Sequence, residues 1–136
     1  MAWVVDTCLL LDIALDDPGF AAKSEKLLEI SSRDGLLICP VTFVELAPTF
    51  GENTQNQEEF LFGLGIDYRE DWTWEDTRRS SNMWSRYVLK RRAKQIAKRP
   101  VADVLIGAFA SRFQGLLTRN AGDFSRLIPR LAILEP

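Results

Sequence analysis

The sequence contains no histidine among its 136 residues. This absence excludes Ser-His and Cys-His nucleophile pairs, histidine general bases and zinc sites built from imidazole. Its two cysteines, Cys8 and Cys39, have no metal-like spacing and predict reduced, small apolar side chains of a cytoplasmic protein. Carboxylates, hydroxyls, amines or a bound metal must therefore carry any chemistry.

Long hydrophobic runs are also missing, since no apolar stretch approaches the roughly 20 residues that span a bilayer. The first residues lack a basic segment and a small-residue cleavage site, so we expect no signal peptide and no membrane association. The apolar fraction of 46% predicts a folded protein. The length predicts a single domain over residues 1–136.

Acidic residues are absent from one long segment, although the formal net charge of the chain is only −2. Between residues 78 and 99, nine of the 17 basic residues occur without a single Asp or Glu. Such a segment can bind a polyanion, or it can simply be the solvated face of a helix. The residues concerned are Arg78, Arg79, Arg86, Lys90, Arg91, Arg92, Lys94, Lys98 and Arg99.

Hydrophobic periodicity predicts strands that alternate with helices. Strands are expected at 2–5, 36–39, 115–118 and 131–134, while 66–74 is ambiguous between a short strand and a loop. Helices are expected at 7–15, 20–32, 41–50, 57–64, 75–98 and 101–113. This order predicts an α/β fold whose central, mainly parallel sheet is covered on both faces.

Four carboxylates lie close to the ends of these strands. Asp6 ends the first strand, Glu45 follows the second, Asp103 begins the helix before the third, and Asp123 follows the third. Ligand sites in parallel sheets lie beyond the carboxyl ends of the strands, so we expect the four to converge. Mg²⁺ and Mn²⁺ prefer such oxygen ligands and would relieve the repulsion between the anions.

Each carboxylate also has a purely structural explanation. Asp6 can cap the helix that follows it, and Thr42 with Glu45 has the spacing of a capping box. Asp103 suits the first turn of its helix, where the dipole favours an anion, and Asp123 can cap a short helix over 124–127. Capping alone, however, does not require an acid at all four positions.

Four short motifs follow one another along the chain: VVDTCLLL at 4–11, PVTFVEL at 40–46, ADVLIGA at 102–108 and LTRNAGDF at 117–124. Their order resembles that of the PIN domain family, and within it the VapC toxins of bacterial toxin–antitoxin pairs. The resemblance extends over nearly the whole chain. It implies a three-layer α/β/α sandwich and an endoribonuclease that depends on Mg²⁺ or Mn²⁺.

The resemblance also assigns residues and partners. It implies that Asp6, Glu45, Asp103 and Asp123 are catalytic metal ligands, with Thr118 and Asn120 as polar helpers. It further implies an RNA substrate, a cognate antitoxin protein and a homodimer. Beside an acidic metal site, we expect the basic segment to bind the phosphates of that RNA. Cys8 departs from the Asn, Ser or Ala that is usual in the family, and residues 71–76 have no family counterpart.

Other interpretations remain open. Trp72, Trp74 and Trp84 can stack on RNA bases or can belong to the core or an interface. The chain can be a catalytically silent PIN-like module that binds RNA or a protein partner, or an α/β protein whose acids are only helix caps. A phosphatase of the haloacid dehalogenase type would need a second Asp where Cys8 stands.

Overall fold

The computed structural model describes residues 1–94 and 101–136. In this part of the chain, five parallel strands form one sheet in the order β3-β2-β1-β4-β5. This result confirms the predicted α/β class. The strands are β1 (Trp3–Val5), β2 (Leu36–Leu37), β3 (Ile66–Asp67), β4 (Gly115–Leu117) and β5 (Ile133–Leu134).

Helices connect the strands and cover the sheet. They are α1 (Thr7–Ala14), α2 (Ala21–Ser31), α3 (Pro40–Leu46), α4 (Thr54–Gly63), α5 (Trp74–Lys94), α6 (Val101–Ala110) and α7 (Ala121–Leu127). Helix α4 begins three residues earlier than predicted because the Asn53 side chain caps it, accepting a hydrogen bond from the Asn56 amide at 3.0 Å. The predicted helix over 41–50 ends at Leu46 and continues as a 3₁₀ turn, Ala47–Phe50.

Side chains of β1 alternate between two cores, as the pleat of a strand requires. Trp3 and Val5 enter one core with residues of α1 to α4, namely Leu9, Leu10, Leu28, Leu46 and Leu61. Val4 enters the opposite core with residues of α6 and α7, namely Ile106, Phe109, Ala110 and Phe124. The sheet therefore lies between two helical layers, as expected for a three-layer sandwich.

The start of α5 is fixed by a reciprocal capping box within residues 71–76. The Thr73 amide donates to Asp76 Oδ2 at 2.9 Å, and the Asp76 amide donates to Thr73 Oγ1 at 3.2 Å. Arg112, just after α6, binds the same fully buried carboxylate through Nε and Nη2. Its guanidinium also lies over the rings of Phe109 and Phe113. This cluster joins α5 to the end of α6.

Candidate functional site at the ends of β1 and β4

Asp6 lies directly after β1 and is only 4% exposed. Its Oδ1 accepts a hydrogen bond from the Thr7 amide at 2.8 Å. Its Oδ2 accepts from Thr118 Oγ1 at 2.7 Å and from Cys8 Sγ at 3.3 Å. Burial raises the pKa of the Asp6 carboxyl above its usual value, and these donors offset only part of that shift. A ring of local donors therefore receives the buried carboxylate at this strand end.

Thr118 and Asn120 follow β4, which pairs with β1 in the sheet. Thr118 is fully buried against Asp6, whereas Asn120 is exposed at the N-cap position of α7. The Asn120 amide donates to Thr118 Oγ1 at 3.0 Å. The structure therefore brings Thr118 to Asp6 and links Asn120 to it through the backbone.

Glu45 lies on α3 with an exposed side chain, close to the start of α1. Its Oε1 accepts a hydrogen bond from Thr7 Oγ1 at 2.6 Å. The alternative of a capping box with Thr42 is wrong, because α3 begins at Pro40 and Thr42 lies inside the helix. The Thr42 hydroxyl instead contacts Thr7 Oγ1 at 3.1 Å. The hydrogen bond of the Glu45 side chain therefore results from packing of α3 against α1, not from helix capping.

Asp103 and Asp123 occupy the first turns of α6 and α7. Asp103 is half-buried and Asp123 is exposed. Asp123 is not the N-cap of a helix over 124–127, because that helix begins at Ala121. Both carboxylates still occupy positions that the helix dipole favours.

The donor set has the right chemistry for Mg²⁺ or Mn²⁺, since all four side chains offer carboxylate oxygens. In residues 1–94 and 101–136, however, no three or more Asp, Glu, Cys or His side chains lie together as a metal-holding group. Asp6 and Glu45 are joined through Thr7, whose amide and hydroxyl each bind one of the two carboxylates.

Cys8 is half-buried beside Asp6, and its thiol is a hydrogen-bond donor there. Burial and the nearby Asp6 carboxylate raise the pKa of the Cys8 thiol to about 11. The thiol therefore keeps its proton at neutral pH and donates a hydrogen bond to Asp6. Cys39 is also a free thiol, and burial raises its pKa to about 12.

A buried ion pair behind the site was not predicted from the sequence. Arg119 Nη2 donates to Asp12 Oδ1 at 2.9 Å, and Arg119 Nε lies 2.9 Å from Asp12 Oδ2. Asp12 is 5% exposed and also accepts from Ser24 Oγ at 3.3 Å, while the guanidinium lies 4.3 Å from the centre of the Phe20 ring. The only sequence signal was an Asp among the leucines of α1. The pair ties the loop that carries Thr118 to α1 and α2.

The structure describes only part of the basic segment over residues 78–99. Arg78, Arg86 and Lys90 are exposed on α5, and Arg79 Nη1 lies 3.7 Å from the Asp76 carboxylate. The remaining predicted RNA-binding residues lie outside the described part of the chain. This applies to the side chains of Arg91, Arg92 and Lys94 and to the whole of Lys98 and Arg99.

The three tryptophans of this region differ in their surroundings. Trp72 is a structural residue, since its Nε1 donates to Thr77 Oγ1 at 2.7 Å and its ring stacks with Phe109. Trp84 is half-buried and stacks with Tyr87. Trp74 is 74% exposed. Base stacking therefore stays a prediction for Trp74, whereas Trp72 belongs to the core.

None of the helices in the described residues has the length and apolar character needed to cross a membrane. No protein-family model and no curated protein matches the sequence. A solved structure does match: a chain in the crystal structure of VapBC2 from Rickettsia felis, bound to a DNA fragment from their promoter. The match covers 99% of this chain and 98% of that chain, with a TM-score of 0.65 and 14% identity. The chain therefore has a PIN-like α/β fold similar to that of a component of VapBC2.

Proposed function

We propose that this protein is a metal-dependent endoribonuclease and the toxin of a toxin–antitoxin pair. The observation that carries the proposal is the arrangement around Asp6. A buried carboxylate at the end of β1 accepts hydrogen bonds from Thr118 and from the amide of Thr7, whose hydroxyl holds Glu45. Similarity of fold to a chain of VapBC2 supports the same class of protein.

The proposed ligands for Mg²⁺ or Mn²⁺ are Asp6, Glu45, Asp103 and Asp123. When bound, the metal supplies an activated water and neutralises charge that develops on the phosphate. The protein contributes the rest through its own side chains. Thr118 orients the Asp6 carboxylate, and Asn120 is exposed beside it to contact the substrate. Because no three acidic side chains lie together in the described part of the chain, we expect Asp103 and Asp123 to reorient from the first turns of their helices.

RNA would approach along α5 in this proposal. Arg78, Arg86 and Lys90 project from this helix into solvent, where they can contact phosphates. Arg79 is less available because it lies near the Asp76 carboxylate. The full proposed set also includes Arg91, Lys94, Lys98 and Arg99.

The proposed partners follow from the same assignment. The matched structure is a complex named VapBC2, so we infer a cognate antitoxin for this chain as well. We also propose a homodimer and a cytoplasmic location. Light scattering of the purified protein at micromolar concentration tests the dimer, and a stable monomer would contradict it.

The central experiment is incubation of purified protein with total RNA in the presence of Mg²⁺, Mn²⁺ or EDTA. We expect endonucleolytic cleavage with either metal and none with EDTA. Asp6→Asn should abolish cleavage, whereas the exposed Asp34→Asn is a matched control that should cleave like the parent. Intact RNA under all conditions would contradict the nuclease proposal. RNA binding without cleavage would instead favour the catalytically silent module.

A further inference from the structure

The first residue of α1 contacts both linked carboxylates of the site. The backbone amide of Thr7 donates to Asp6 Oδ1 at 2.8 Å, and its hydroxyl donates to Glu45 Oε1 at 2.6 Å. Thr7 is 7% exposed, so its amide and hydroxyl donors are shielded from water. A single buried residue thus holds a carboxylate that follows β1 and a carboxylate from α3.

The direction of the hydroxyl proton follows from its neighbours. The Thr7 hydroxyl lies 2.6 Å from Glu45 Oε1 and 3.1 Å from Thr42 Oγ1, but it has one proton to give. A carboxylate is the stronger acceptor, so the shorter bond, from Thr7 to Glu45, takes the proton, and the fully buried Thr42 hydroxyl is a second acceptor within reach of the same donor. Thr7 is thus the donor that faces both residues of α3.

The bond from Thr7 restricts an otherwise solvent-exposed side chain. Glu45 lies on the exposed surface of α3, where a glutamate normally samples many rotamers. A short hydrogen bond to an ionised acceptor is among the stronger ones, and here its donor is anchored in the core. The Glu45 carboxylate is therefore held at the start of α1, at the residue whose amide binds Asp6.

We propose that Thr7 is a positioning residue that fixes the Glu45 carboxylate relative to Asp6 for RNA cleavage. The assignment rests on the proposed function, because Glu45 has a catalytic role only there. Thr7 itself acts through its two carboxylate neighbours. The alternative is that its hydroxyl matters only for packing between α1 and α3.

The hydrogen bond itself is tested without any activity. Thr7→Val keeps the shape and the amide but removes the hydroxyl, and Glu45→Ala removes the acceptor. We expect Thr7→Val to lower the urea midpoint, and to lower it by less in the Glu45→Ala background, because the two residues interact. Equal shifts in both backgrounds would overturn the proposed bond.

The positioning role is tested by steady-state cleavage of a short RNA with Mn²⁺. We expect Thr7→Val to lower kcat by about 10- to 100-fold, as is typical when a residue that orients a site is removed. KM should stay nearly constant, because Thr7 is buried and does not face the RNA. Thr7→Ser retains the hydroxyl and should restore most of the rate.

Thr54 offers a matched control, since it is also the first residue of a helix but is exposed. Thr54→Val should leave kcat unchanged. If the parent cleaves RNA and Thr7→Val cleaves it equally fast, the positioning role is overturned while the proposed function stands. If the parent does not cleave RNA, the proposed function fails. The urea midpoints then still report whether Thr7 forms the hydrogen bond with Glu45.

Discussion

Thr118 donates a hydrogen bond to Oδ2 of Asp6 at 2.7 Å, although 112 positions separate the two residues in the chain. Both are buried, and each follows a strand of the adjacent pair β1 and β4. The bond therefore joins the two strand ends where the candidate site lies. It also lowers the desolvation cost of the Asp6 carboxylate.

Removing that donor should destabilise the protein. Thr118→Val takes away the hydroxyl at Asp6 Oδ2 and leaves the Cys8 thiol, a weaker donor, at the same oxygen. We therefore expect the free energy of unfolding to fall by about 1–3 kcal/mol. Thr118→Ser keeps the hydroxyl and should cost less. Urea denaturation of both variants measures the difference, and an equal fall in the two would show that the hydroxyl is not responsible.

We expect a larger loss of stability when the ion pair between Asp76 and Arg112 is broken. Arg112→Met would remove the hydrogen-bonded guanidinium from the fully buried Asp76 carboxylate and leave Arg79, 3.7 Å away, as its ion-pair partner, at a cost of about 3–5 kcal/mol. Arg130→Met, at an exposed position, is the control and should change stability little. A small effect of Arg112→Met, measured by the same denaturation, would contradict a structural role for the pair.

The same carboxylate should contribute to acid sensitivity. Burial raises the pKa of Asp76, but hydrogen bonds from Arg112 and Thr73 outweigh it and hold the pKa below its usual value of 3.8. The unfolded state therefore binds the proton more readily, and the stabilisation is present above pH 3.8 and lost as the pH falls through the lower native value. We expect the difference in unfolding free energy between the parent and Asp76→Asn to shrink below about pH 4. A constant difference down to low pH would contradict the lowered pKa.

Metal binding should depend on Asp103 if this residue is a ligand. A ligand that binds only the native state raises the melting temperature, so Mn²⁺ should stabilise the parent relative to EDTA. Asp103→Asn should lose that response together with RNA cleavage. Asp34→Asn, an exposed control, should keep both. An equal response of the parent and Asp103→Asn to Mn²⁺ would remove Asp103 from the proposed ligand set.

The basic segment predicts salt-dependent RNA binding. In an Asp6→Asn background, which should not cleave, replacing Arg86 and Lys90 with alanine removes two exposed cations. The logarithm of the RNA association constant should then fall less steeply with the logarithm of the salt concentration. The slope should decrease by about one for each phosphate that the protein no longer neutralises. Arg130→Ala is the exposed control. An unchanged slope in the double variant would place the RNA elsewhere.

Two helix starts differ from the hydrophobic pattern because side chains cap them. Asn53 caps α4, which begins three residues before its predicted start, and Thr73 with Asp76 caps α5, which begins one residue before its predicted start. A capping-box spacing was misleading at Thr42 and Glu45. There Pro40 starts the helix earlier, and packing of α3 against α1 turns both side chains toward Thr7.

The sequence by itself determined the α/β class, the approximate positions of the strands and the location of Asp6 at a strand end. These features depend on hydrophobic periodicity and on local backbone preferences, which neighbouring residues set. Only the tertiary structure decided that β4 lies beside β1, so that Thr118 reaches Asp6 and Arg119 reaches Asp12. Such contacts join residues more than a hundred positions apart, and their geometry depends on the order of strands in the sheet and on how the helices pack against it.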